Sequence, residues 1–68
     1  MFIRQENTII NTQVLPVITT QGSDIRFQKN TDRSAPYTKL KFKTIAMADR
    51  AFNLIFSEMS QGSPVVLL

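Results

Sequence analysis

The sequence has no cysteine, no histidine and no tryptophan. Without cysteine there is no disulfide framework and no thiolate metal site, and zinc-finger and thiol chemistry are excluded. Without histidine the usual general base near neutral pH is missing. Glycine is scarce, with Gly22 and Gly62 the two in the chain, so no glycine-rich phosphate loop can be built. Negative charge is also sparse. The carboxylates Glu6, Asp24, Asp32, Asp49 and Glu58 fall on separate segments, and no pair shares a motif. An enzyme is therefore not expected, nor is a cofactor, a metal or a small-molecule substrate. Long apolar runs are absent too. None approaches the roughly 18 residues of a membrane span, and none at the start has signal-peptide length. The expected compartment is the cytoplasm, with no membrane partner.

What remains is 68 residues, 43% hydrophobic and 19% charged, with a formal net charge of +3. This is a globular composition and the length of one small domain. A chain this short buries a thin core, and no covalent staple is available to it. Self-association or a protein partner would supply the missing burial.

The residue pattern predicts an α+β fold, with a small antiparallel sheet of three or four strands over about residues 2–43. One C-terminal helix, over about 45–60, packs on one face, and a short apolar tail, 63–68, follows. Thr8-Ile9-Ile10 and the Val, Ile and Thr residues between 14 and 20 favour strand. Pro16 has no N–H for a ladder, so its strand is expected at an edge or with a bulge. Gln21-Gly22-Ser23 reads as a turn. Asp24 to Lys29 alternates, with Ile25 and Phe27 on one side. The stretch 30–36 is a polar loop. Between Tyr37 and Lys43 the alternation is strongest, with Thr38, Leu40 and Phe42 inward and Tyr37, Lys39, Lys41 and Lys43 outward.

In the helix, Ile45, Ala48, Phe52, Ile55, Phe56 and Met59 follow the i, i+3, i+4 spacing of a core-facing stripe. Thr44 is placed to cap its start, and Gly62 and Pro64 to end it. Ile25, Phe27, Leu40 and Phe42 are expected to meet Phe52, Ile55 and Met59.

Three surfaces stand out as candidate sites, one of them the loop 30–36 with Asp32 and Arg33, whose ordinary reading is a flexible hairpin tip. Met47 and Leu54 fall on the helix face opposite the stripe, and with Val65, Val66, Leu67 and Leu68 they form a candidate protein interface. The expected function is accordingly a non-enzymatic binding module acting through protein–protein contact and self-association. The alternative is a weak nucleic-acid binder. Lys39, Lys41 and Lys43 recur at period 2, and a hairpin would bring Arg26 onto the same face beside Tyr37. Such a row suits phosphates, and a ring can stack on an unpaired base. A row of lysines is also the ordinary solvated face of an open sheet.

Overall fold

The computed structural model describes residues 1–68. Six strands and one helix follow in order: β1 (Phe2–Gln5), β2 (Thr8–Asn11), β3 (Val17–Gln21), β4 (Asp24–Gln28), β5 (Tyr37–Lys41), α1 (Ile45–Ser60) and β6 (Val65–Leu67). The α+β arrangement with a C-terminal helix packed on sheet is as the sequence predicts. The strands divide into two three-stranded sheets, ordered β2-β1-β6 and β3-β4-β5. Both hairpin-connected sets are antiparallel, whereas the tail enters as β6, parallel to β1.

Turn chemistry separates the strands. Gly22 carries φ 61° in the β3–β4 hairpin, a left-handed conformation that suits a residue without Cβ. Glu6 occupies the same region, with φ 52°, in the β1–β2 turn. Pro16 lies immediately before β3, and β3 is an edge strand. The Thr44 side chain caps the helix, its Oγ1 accepting from the Met47 N–H at 3.1 Å. At the other end the Ser63 N–H donates to the Glu58 carbonyl and the Gly62 N–H to the Met59 carbonyl, both at 3.0 Å. With Gly62 at φ 74° this is a Schellman close, which reverses the chain toward β6.

The inner faces of both sheets and the helix share one core: Ile3, Ile10, Ile25, Phe27, Leu40, Ala51, Ile55 and Val66. The expected helix stripe is only partly buried. Ala48, Ala51 and Ile55 are buried and Phe52 is half-buried, while Ile45, Phe56 and Met59 are exposed. The contact line is rotated toward Ala51, because two alanines let the helix axis approach the sheet where larger side chains would hold it off. Ile45 and Met59 lie at the two ends of the helix, and Phe56 lies on the flank opposite Ala51.

Candidate functional site

On the β3-β4-β5 sheet the register sets Arg26 opposite Lys39, Gln28 opposite Tyr37 and Asp24 opposite Lys41. Residues directly opposite one another share a face. Arg26, Tyr37, Lys39 and Lys41 therefore stand together on the outer face, as the sequence predicts. Lys43 does not join them. The strand ends at Lys41, and Lys43 lies in the exposed segment leading to the helix. Phe42, half-buried, packs against the core.

One face of the Tyr37 ring is already occupied. Its diagonal neighbour Arg26 places Cζ 3.8 Å from the ring centroid, and Lys39 Nζ lies 5.8 Å from it. The same guanidinium is tied to the loop after β4, its Nη2 donating to the Arg33 carbonyl at 3.5 Å. Arg26 Nε is shielded from solvent and has no acceptor.

The loop is folded over this face by its own short side chains. Asn30 Oδ1 accepts from the Asp32 N–H at 2.9 Å, and Gln28 Nε2 donates to the Asp32 carbonyl at 3.2 Å. Asp32 Oδ1 accepts from the Ser34 N–H at 3.0 Å and from its hydroxyl at 2.9 Å. Those two donors, the backbone N–H first, hold the Asp32 carboxyl below the ordinary carboxylate value of 3.8.

Between this loop and β3 lies a depression of about 420 Å³, lined by Val17, Thr19, Thr20, Gln21, Arg26, Gln28, Thr31 and Arg33. Its lining holds two arginines and no acidic residue. Periodicity does not mark Arg33 and Thr31, because an irregular loop has none. The signal present in the sequence is the Asn-Thr-Asp-Arg-Ser run itself, whose Asx turns order the segment.

The apolar candidates divide among three places. Met47, Leu54 and Leu68 come together as expected, and with Phe42, Ala51 and Arg50 they line a groove of about 440 Å³. Val65 and Leu67 project from the outer face of the β2-β1-β6 sheet. Val66 is a correction: at 3% exposure it belongs to the core, because alternation along β6 turns it inward beside Ile3.

On that outer face Arg4 is flanked by Ile9 and Leu67, and Phe2 by Asn11 and Val65. Phe2, Ile9, Val65 and Leu67 are all exposed. Arg4 Nε donates to the Glu6 carbonyl at 3.1 Å, which draws the charge toward the β1–β2 turn. A further depression, lined by Arg4, Glu6, Leu67 and Leu68, adjoins this face. Leu68 thus lines both it and the helix groove, so the two apolar areas meet there. Pro16, Ile18, Phe52, Phe56 and Met59 edge a smaller groove, of about 190 Å³, on the other flank of the helix.

No group of three or more acidic, histidine or cysteine side chains is placed to hold a metal ion, and no helix is long and apolar enough to cross a membrane. No protein-family description, no curated protein and no solved structure matches this chain.

Proposed function

We propose that this chain is a non-enzymatic binding module that acts through protein–protein contact, with a second copy of itself as the partner. The observation that carries this reading is the balance of apolar side chains. Nine hydrophobic residues are buried in the core, whereas eleven large hydrophobic residues are exposed. Four of them, Phe2, Ile9, Val65 and Leu67, share the outer face of the β2-β1-β6 sheet, and an apolar face of that kind on a small domain marks an interaction surface.

The second copy is favoured by the β6 edge. The Phe2 N–H donates to the Pro64 carbonyl and the Leu68 N–H to the Arg4 carbonyl. Even-numbered residues of this strand thus face β1, and the backbone groups of Val65 and Leu67 point away from it. An apolar edge with free backbone groups is a template for another strand. Pairing β6 with its copy about a two-fold axis would be self-complementary and would set two apolar outer faces side by side. The cytoplasm is the compartment we propose, where a cysteine-free chain gives up no disulfide.

Sedimentation velocity on the chain and on Leu67→Lys tests this reading. A dimer for the parent and a monomer for the variant, with unchanged far-ultraviolet dichroism, are expected. A parent that stays monomeric at about 1 mM, which bounds association as weaker than about −4 kcal/mol, would sink the reading.

A second reading is nucleic-acid binding on the outer face of β3-β4-β5. It is supported by Arg26, Lys39 and Lys41 on one face. The absence of Lys43 from the row and the guanidinium over Tyr37 weigh against it. If it holds, replacing Lys39 and Lys41 by Gln lowers the salt slope of binding by about one for each phosphate that the variant no longer neutralises.

A further inference from the structure

We propose that the depression between β3 and the loop after β4 is a binding site for a phosphate group carried on a small ligand, as in a phosphate monoester. This is independent of the association reading, since the depression lies on the opposite sheet from β6.

The first argument is the lining. Arg26 and Arg33 supply two permanent positive charges, and Thr19, Thr31, Gln21 and Gln28 add neutral hydrogen-bonding groups. Val17 is the one apolar residue and no carboxylate contributes. Asp32 is close in sequence, yet its Oδ1 is already engaged by the N–H and hydroxyl of Ser34. The second argument is the state of Arg26. A guanidinium has five N–H donors. Here one of them reaches a protein acceptor, at 3.5 Å, and Nε has none. The Tyr37 ring at 3.8 Å fixes the plane of the group, so its orientation is set before any ligand arrives. An oriented, under-satisfied arginine is well suited to bind an oxyanion.

The third argument concerns which anion. Two arginines and three threonines offer more donors than a carboxylate can use, and a phosphate presents three or four oxygens. The volume of about 420 Å³ falls in the range of small-molecule sites and leaves room for the group that carries the phosphate. A polymer is less well served. Tyr37 has one face already covered, and Asp24 stands opposite Lys41, interrupting the positive strip.

The experiment is a titration of the ¹⁵N-labelled full chain, followed by amide and arginine Nε correlations at constant ionic strength. The probes are inorganic phosphate, glycerol 3-phosphate and a single-stranded oligothymidylate. Saturable shifts confined to Thr19, Gln28, Thr31, Arg33 and the Arg26 side chain are expected with the first two. Arg33→Gln should weaken glycerol 3-phosphate binding about tenfold, the effect of removing one charge-assisted hydrogen bond. This variant keeps the Arg33 carbonyl that the fold uses, so its folding is not at stake. Shifts spread over all the lysines, an affinity unmoved by Arg33→Gln, or oligonucleotide binding without monoester binding would each overturn the proposal. The last of these would move the anion site to the Lys39 and Lys41 row.

Discussion

Glu6 is the one residue other than glycine with positive φ, and its carbonyl accepts from Arg4 Nε. An L-residue held in this region costs about 1–2 kcal/mol, part of which glycine returns through the greater freedom of the unfolded chain. Glu6→Gly is therefore expected to stabilise the chain by about 0.5 kcal/mol or more, read as a higher urea midpoint at an unchanged slope. Gly22 gives the converse. A Cβ there meets no atom within 4 Å, so Gly22→Ala isolates the backbone cost of φ 61°, about 1 kcal/mol.

Asp32 yields a pH prediction. Its carboxyl is lowered in the folded chain, by the Ser34 N–H first and the Ser34 hydroxyl second. A lowered carboxyl contributes stability that is complete above its unfolded value, about 3.9, and is lost as pH falls through the folded value. The order of the loop should therefore fade only in acid. Ser34→Ala removes the hydroxyl and keeps the N–H, so the Asp32 midpoint should move part of the way back. Carbon-detected titration of the Asp32 carboxyl checks this, and an unmoved midpoint would refute the assigned cause.

At the scale of elements, β6 shows what a sequence conveys and what it withholds. An apolar Val-Val-Leu-Leu run after a helix stop is visible, and so is its choice between strand and docking strip. Its parallel pairing with β1 is not, because no turn links the two strands and the pairing spans almost the whole chain. The hairpins are legible for the opposite reason: Gly22 and the alternation at Ile25, Phe27 and Leu40 are local signals. The helix is legible in extent, from Thr44 to Gly62, yet not in rotation. Which flank of an amphipathic helix is buried depends on the sheet it meets, and Ala51 goes inside because it is small. The Arg26–Tyr37 stack follows from a register that the sequence implies, whereas the place of Arg33 depends on a loop path that it does not.

Alternation along β6 also makes a prediction for neighbours. Val66, inside, should cost about 1–3 kcal/mol on replacement by alanine, and Val65, outside, less than about 0.5 kcal/mol in the monomer. For the same reason removing the tail is a poor probe of association, since it deletes a core residue along with the interface. Chemical denaturation of the two point variants separates the two roles.

The whole molecule has to be judged on its core. In 68 residues the buried apolar set is limited to nine residues, three of them in or beside the tail strand's sheet: Ile3, Ile10 and Val66. With no disulfide, further burial can come only from another surface. If the folded chain pairs with itself and the unfolded chain does not, mass action ties stability to concentration. Two unfolded chains then exchange with one folded dimer, so each tenfold rise in concentration stabilises a dimer by about 1.4 kcal/mol, or about 0.7 kcal/mol per chain. For a domain of this size that is a rise of about 3–6 °C in Tm. Leu67→Lys, which places a charge on the exposed β6 edge, should show a Tm that no longer moves with concentration and that meets the parent's value at high dilution. Scanning calorimetry over a hundredfold range of concentration decides the matter. A parent Tm that stays fixed over that range would mean that the core sustains the fold alone. The apolar surface around Leu67 and Leu68 would then carry no self-association.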